Sequence, residues 1–273
     1  MDLLQAAVLG ALQGFTEVLP ISSSGHLILA PWLFGWAESG LTFDVALHFG
    51  TFLALFVYFR QDIVRLLRGG LSSIAGRDLS HYDQRLPWLL VAGSLPAALV
   101  GKLFEEPIET VFRGSPLLIC LMLILFGLFL GFADRYGRQT RVATSIGLKA
   151  ALFIGAFQCL ALIPGVSRSG ITITAALLLG LARPDAARFS FLLSLPIVAG
   201  AALLKGVHLF KAGVEPGMVL PMLVGVSTAS LTGYLSVAFL LRFVQTNTVW
   251  PFVWYRLVLG GGVMAALGTG LLR

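Results

Sequence analysis

The sequence predicts an all-α polytopic membrane protein, with six transmembrane helices plus two re-entrant helical hairpins in an inverted-topology repeat. Three observations predict it: the composition, the lengths of the apolar runs, and an internal resemblance between two polar turns. Of 273 residues, 57% are hydrophobic and 12% charged, and the mean hydropathy is +0.90. Water-soluble chains are about 45–50% apolar and roughly 25% charged, so too little polar surface is left here to coat a soluble body. That excludes a soluble enzyme, a disordered chain and a nucleic-acid binder. The pI near 9.7 would otherwise suggest the last, because a basic face is the usual footprint for phosphate backbones. Here the 19 Lys and Arg sit mostly between apolar runs, where they set orientation in the membrane.

A spanning helix needs about 20 mostly apolar residues. Six stretches qualify: roughly 42–59, 86–104, 116–133, 187–205, 217–241 and 249–272. Residues 2–19 and 146–163 have the length, but each runs into a proline and then a polar knot, while 25–35 and 170–182 are too short to cross. These four pieces form two hairpins, 2–35 and 146–182. Irregular backbone at membrane depth survives only where protein or a wet cavity surrounds it, so the two turns are expected to face each other inside the bundle. The N-terminus does not read as a cleavable signal, since Met1-Asp2 lacks a basic stretch and Gln13 and Glu17 interrupt the apolar run. Segment 61–75, with Asp62, Arg65 and Arg68 among apolar residues, suits an interfacial helix.

The hairpins resemble each other at an offset of 145 residues: Gly10-Ala11-Leu12-Gln13 matches Gly155-Ala156-Phe157-Gln158, and Ser22-Ser23-Ser24-Gly25 matches Ser167-Arg168-Ser169-Gly170. Three spans follow each hairpin, an odd number that turns the second half upside down. The chain is therefore one integral domain, 1–273, with inverted repeats of about 1–143 and 144–273, a design that puts the site near the bilayer midplane. With the N-terminus outside, 12 Lys and Arg fall inside (Arg60, Arg65, Arg68, Arg77, Arg85, Arg135, Arg138, Arg141, Lys149, Arg183, Arg188 and Arg242) and 5 outside (Lys102, Arg113, Lys205, Lys211 and Arg273). The positive-inside rule selects this orientation, with both termini outside. Trp32, Trp36, Trp88, Trp250 and Trp254 sit near span ends, as an interfacial belt requires. Cys120 and Cys159 lie far apart in apolar segments and read as small buried hydrophobes.

Glu17 is the one acidic residue well inside an apolar stretch. An ionisable group at that depth costs about 2.5–3.5 kcal/mol on insertion scales, so function is its default reading. Gln13 and Glu17, four apart, share a helix face. The first turn adds Ser22, Ser23 and Ser24, and His26 opens the return helix; the second adds Ser167, Arg168, Ser169 and Thr172. Arg168 offers a planar fork for phosphate oxygens. The return helices present amides and positive dipole ends at Gly25 and Gly170, where glycine allows an anion close to the backbone. Such a site holds an anion that is hydrolysed or carried. His48 reads as a satisfied interior histidine, and Arg256 as snorkelling to the inner interface or pairing locally.

Two segments carry a family resemblance. Gln13-Gly14-Phe15-Thr16-Glu17-Val18-Leu19-Pro20-Ile21-Ser22-Ser23-Ser24-Gly25-His26 resembles the first signature of the undecaprenyl-diphosphate phosphatases, the bacitracin-resistance family, and Pro164-Gly165-Val166-Ser167-Arg168-Ser169-Gly170-Ile171-Thr172 resembles the second. The resemblance implies hydrolysis of the terminal phosphate of a polyprenyl diphosphate lipid in the bacterial cell (inner) membrane. The products are the monophosphate and inorganic phosphate, a step that recycles the carrier for cell-wall synthesis and lowers sensitivity to bacitracin. It further implies a divalent cation cofactor, Mg2+ or Ca2+, and a homodimer. By motif position the catalytic set is Glu17, Ser23, His26 and Arg168, with Glu17 on the metal. Gln13, Ser22, Ser24, Gly165, Ser167, Ser169 and Thr172 are expected to bind the diphosphate. Gln13 stands where the family takes either Glu or Gln, so this motif cannot place two carboxylates on one ion. Either Ser23, with His26 as base, or His26 itself attacks phosphorus. The competing reading is an inverted-repeat secondary transporter or flippase for an anionic lipid, which needs no nucleophile beside its anion clamp.

Overall fold

Proline and serine set the first element boundaries. In the computed structural model, which describes residues 1–37, 40–212 and 216–269, α1 (Leu3–Val18) starts from Asp2, whose side chain and Gln5 form a capping box. It stops at Leu19, extended at φ −67, ψ 144, as a residue before proline prefers. Helix α2 (Ser23–Phe34) then returns from Ser22 and ends at Gly35, in the left-handed conformation. The second hairpin repeats the construction: α7 (Leu148–Gln158) runs through a short 3-10 turn, Cys159–Leu162, to an extended Ile163 before Pro164. Helix α8 (Arg168–Leu178) begins from Ser167. Both return helices start two residues earlier than the glycines that the sequence suggests.

Between and after the hairpins lie α3 (Leu41–Tyr58), α4 (Arg60–Gly76), α5 (Tyr82–Arg113), α6 (Pro116–Tyr136), α9 (Arg183–Ala212), α10 (Pro216–Phe243) and α11 (Trp250–Gly268). The described residues are all-helical, apart from turns and a single Arg141–Leu181 bridge. Helices α5, α6, α9, α10 and α11 are long and apolar enough to cross a membrane; α3 and α4 together make a sixth candidate, bent by 75° at their junction. Helix α4 carries Val64, Leu67, Leu71 and Ile74 exposed beside Arg65 and Arg68, the two-faced pattern of an interfacial helix.

Small residues let the helices close. A Cβ on Gly10 of α1 would fall 2.1 Å from Thr228 Oγ1 and 2.4 Å from the Gly225 carbonyl of α10, and one on Gly155 of α7 would fall 2.0 Å from the Gly93 carbonyl of α5. Backbone contact of this kind is how membrane helices associate without a hydrophobic drive between them. Gly155→Ala is expected to lower stability by about 1–3 kcal/mol, the cost of overpacking, read as a lower unfolding midpoint in detergent; an unchanged midpoint would show that the α5–α7 contact has slack.

Three of the basic residues assigned to the inner side pair with acidic residues of other helices. Arg65 donates to Asp83 (2.8 Å), Arg188 to Asp62 (2.5 Å) and Arg183 to the buried Asp134 (2.5 Å), while Asp185 accepts from the Ala143 amide (2.8 Å). Trp88 of α5 donates to Ser73 of α4 (2.9 Å). Arg273, assigned to the outer side, lies outside the described residues, as do the side chains of Arg113, Lys205 and Lys211.

Candidate active site

The two turns meet and are built alike. Ser22 (φ 76, ψ 97) and Ser167 (φ 75, ψ 118) occupy the same sparsely populated backbone region, which costs a non-glycine residue about 1–3 kcal/mol. Each accepts a hydrogen bond from the amide three residues on, Gly25 at 3.3 Å and Gly170 at 3.2 Å. Each also lies beside the serine two residues on, Ser24 at 3.4 Å and Ser169 at 3.3 Å. The turns are cross-linked: the Gly165 amide donates to Ser22 Oγ (3.2 Å), and Ser169 Oγ donates to the Leu19 carbonyl (3.2 Å).

Arg256 completes the joint, and its place differs from the sequence expectation. It neither snorkels nor reaches an interface. It is fully buried and donates to the carbonyls of Gly165 (2.8 Å) and Val166 (3.1 Å) in the second turn and of Leu123 (2.9 Å) in α6, with longer contacts to Pro20 and Met122 at 3.4 Å. The turns expose carbonyls that helix bonding leaves free, and a planar fork with five donors satisfies several of them at once.

Above this joint lies a cavity of about 300 Å³. Its polar wall comprises Glu17, Ser23, Ser24, Asp44, His48, Gln158, Ser167 and Arg168. Its apolar wall comes from Leu27 and Ile28 of α2, Phe49 of α3, Ala97 of α5 and Ile197, Val198 and Ala201 of α9. Glu17 is the hub. Ser23 Oγ donates to its Oε2 at 2.5 Å, Gln13 Nε2 donates to the same oxygen at 3.2 Å, and Arg168 pairs with Oε1. A hydroxyl on a carboxylate, with a guanidinium alongside, is an arrangement able to supply a nucleophile, its base and a phosphate ligand.

The structure exchanges the two histidines. His26, expected beside the serine, is turned out of the cavity: Nδ1 lies 2.7 Å from the Ser22 carbonyl and Nε2 2.8 Å from the Tyr255 hydroxyl, and the ring stacks on Tyr255. His48, expected to be a satisfied interior residue, lines the cavity instead. Its Nδ1 is held 2.8 Å from the Asp44 carbonyl and its Nε2 lies 3.6 Å from Glu17 Oε2. The carbonyl fixes the proton on Nδ1 and leaves Nε2 facing Glu17.

Of the residues expected to bind diphosphate, Ser24 and Ser167 reach the cavity wall. The others are held in the scaffold. Gln13 Nε2 is spent on Glu17, its Oε1 being without a partner, Ser22 on the Gly165 amide, Ser169 on Leu19, and Thr172 on Ser190 Oγ (2.5 Å) and the Arg168 carbonyl (2.8 Å). The Gly165 carbonyl is taken by Arg256. Gly25 and Gly170 make no room for an anion either. Their amides go to the capping serines, and a Cβ on Gly25 would meet Ser22 Oγ at 3.3 Å, one on Gly170 Arg256 Nη1 at 3.1 Å. Glycine is needed there for the turns to close on protein.

Among the described residues no three His, Cys, Asp or Glu side chains gather as a metal cluster. The cavity wall has two carboxylates, Glu17 and Asp44. Magnesium is commonly held by one or two carboxylates together with substrate phosphates, so this donor set fits a cation that arrives with a diphosphate.

Residues 6–262 match the family model described as Bacitracin resistance protein BacA. The chain belongs to the BacA family. BacA-family relatives named undecaprenyl-diphosphatase include one from Trichlorobacter lovleyi, 67% identical over 272 residues and covering 100% of both chains. Another, from Pelobacter propionicus, is 62% identical with 99% of each chain covered, and one from Moorella thermoacetica is 50% identical, with 97% of this chain and 98% of the relative covered.

Proposed function

We propose that this BacA-family protein is an undecaprenyl-diphosphatase, releasing inorganic phosphate from the lipid diphosphate and returning the monophosphate carrier to cell-wall synthesis. The observation that carries the reading is the Ser23–Glu17–Arg168 chain on the wall of a cavity whose other residues are apolar. A diphosphate head suits the first part and a prenyl tail the second. The geometry also favours this reading over a transporter, which has no use for a serine hydroxyl held on a carboxylate.

Ser23 is the nucleophile and Glu17 its base, in place of the Ser23–His26 pairing. The incoming diphosphate draws Arg168 from Glu17, and the carboxylate then takes the Ser23 proton. The bond from Ser23 Oγ to the terminal phosphorus forms as the bond from phosphorus to the bridging oxygen breaks, and the prenyl monophosphate leaves. Arg168, Ser24, Ser167 and the first amides of α2 and α8, which helix bonding leaves free, neutralise the phosphoryl oxygens; positioning and charge stabilisation are most of what phosphoryl transfer requires. His48 Nε2 stands beside Glu17 to share its proton. His26 is a positioning residue that ties the first turn to α11. Glu17 and Asp44 would hold a divalent cation, Mg2+ or Ca2+, which supplies further charge neutralisation to the diphosphate.

The membrane arrangement belongs to the same reading: six spans, with α3 counted alone and α4 lying at the interface, plus two re-entrant hairpins in inverted repeat. Exchanging the halves maps the observed packing of α1 on α10 onto that of α7 on α5, and of α3 on α10 onto α9 on α5, while α6 on α11 and α3 on α9 map onto themselves. The cavity residues of α3, α5 and α9 lie 10 or more residues, about 15 Å, from Arg60, Arg85 and Arg183 at the basic face. With that face inside the cell, the cavity opens to the outer side of a bacterial cell membrane, and both termini lie outside. A homodimer is proposed from the family alone. Purified protein in detergent, given undecaprenyl diphosphate, is expected to release one phosphate per monophosphate formed. Transport needs two compartments, so an inert detergent preparation that moves the lipid across vesicles would establish the transporter reading instead.

A further inference from the structure

Gln158 lines the cavity and carries a buried amide that no protein group satisfies. Its side chain is 2% exposed, and neither Nε2 nor Oε1 has a hydrogen-bond partner. An unmet buried polar group is costly, so a side chain with two of them at a functional cavity points to a ligand. The repeat explains how the amide became free. Gln13, its counterpart 145 residues earlier, donates its Nε2 to Glu17 four residues on and leaves only its Oε1 without a partner; the position four beyond Gln158 is Leu162, which also lines the cavity. The second half keeps the glutamine and lacks its carboxylate.

The ligand must suit both atoms. Nε2 is a donor and welcomes a phosphoryl oxygen, but Oε1 is an acceptor and repels one. A species carrying O–H is required. We infer that Gln158 holds the hydrolytic water, accepting one of its O–H bonds at Oε1 while Nε2 donates to a phosphoryl oxygen. This rests on the proposed Ser23 phosphoenzyme. In the second half-reaction the water oxygen bonds to phosphorus as the P–Oγ bond of phosphoserine breaks. The proton that Glu17 took in the first step has left with the prenyl monophosphate; one water proton now passes to Glu17 and from there to Ser23 Oγ, and the other leaves on inorganic phosphate, so the enzyme is restored without any further reactant. Gln158 acts in this step and not in the first.

The test uses purified full-length protein, wild type, Gln158→Leu and the near-isosteric Gln158→Glu, mixed with undecaprenyl diphosphate and quenched in acid. Both variants are expected to form about one monophosphate per protein at close to the wild-type rate. Phosphate release should then fall about 10²-fold, the scale for loss of one aligned polar group, while phosphoserine accumulates at position 23 in peptide mass spectra. The isostere keeps the test valid if Gln158→Leu does not fold. Wild-type phosphate release in the variants would overturn the assignment, as would a slowed reaction without phosphoserine, or a raised KM with unchanged kcat, which would make Gln158 a substrate ligand. A parallel Ser23→Ala sample separates the two claims: if that variant turns over normally, the phosphoserine reading fails and takes this one with it, whereas an inert Ser23→Ala beside a normal Gln158→Leu sinks only the role of the amide.

Discussion

Ser23→Ala is expected to lower turnover by about 10⁴-fold or more, the scale on which a nucleophile working with its base is missed, and to leave the unfolding midpoint nearly unchanged. The two halves of that expectation come from the same geometry. Ser23 is the first residue of α2 but not its cap; Ser22 accepts the Gly25 amide and the Gly165 amide, and both bonds survive the substitution. The hydroxyl of Ser23 donates only to Glu17, and in the proposed mechanism its loss removes the attacking atom while Arg168 and the apolar wall still hold the lipid. KM should therefore change much less than kcat. Glu17→Gln is a weaker companion, about 10²–10⁴-fold for loss of a general base. Acid-quenched wild-type protein should carry acid-stable phosphate on Ser23. Acid-labile phosphate on His26, or brisk turnover by Ser23→Ala, would remove the serine from the chemistry.

The site is asymmetric on a nearly symmetric scaffold, and this decides what the sequence could reveal. The 145-residue offset superposes the capping serines and the Gly10 and Gly155 contacts, which do the same work in each half. It also superposes Glu17 on Leu162, Ser23 on Arg168 and His26 on Ile171. In the proposed chemistry one half thus supplies base and nucleophile and the other the cation, and a single site follows from the pairing. Glu17 and Arg168 were legible because polar groups in apolar segments are costly and need a reason. The meeting of the turns was legible for a similar cause, since irregular backbone in lipid must be covered by protein.

What the sequence hid are contacts between remote segments and the direction in which side chains point. His26 lies three residues from Ser23, within reach by spacing, yet its Nδ1 meets the carbonyl four residues back and the ring goes to Tyr255, 229 positions away. His48 and Asp44 reach the cavity from α3, where spacing relates them to nothing in the signatures; Asp44, in the first turn of its helix, looked like an ordinary acidic helix end. Serine and threonine in the signatures looked like phosphate ligands because their hydroxyls suit either role. Only the bonds to Leu19, Gly165 and Ser190 show that most of them are occupied. Gln158 was visible as the partner of Gln13, and Leu162, at the position matching Glu17, is the sequence signal that its amide lacks the partner that Gln13 Nε2 has.

Arg256 was the least legible residue, and its replacement carries the other large expected effect. Near the start of a span an arginine ordinarily runs its stem toward the interface; here Gly127 and Gly170 leave it room, the first with Arg256 Cβ 3.2 Å from where its own Cβ would stand. Three of its carbonyl bonds are 3.1 Å or shorter. Losing them costs about 1–3 kcal/mol for each acceptor stranded in the interior, partly offset because a guanidinium no longer has to be kept out of water. The net expectation for Arg256→Met is a loss of about 2–4 kcal/mol in stability, read as a lower unfolding midpoint in detergent. Turnover should fall further than stability accounts for. Gly165 and Val166 precede Ser167 and Arg168, so freeing their carbonyls loosens the cation opposite Glu17, and a displacement of about 1 Å at a reacting centre costs about 10²-fold. Lysine supplies three donors on a flexible stem where the fork bridges two segments, so Arg256→Lys should retain more stability than Arg256→Met but recover little of the activity. If Arg256→Met melts and turns over like wild type, the turns are held in register by Ser22 and Ser169 alone, and the arginine is only packed between them.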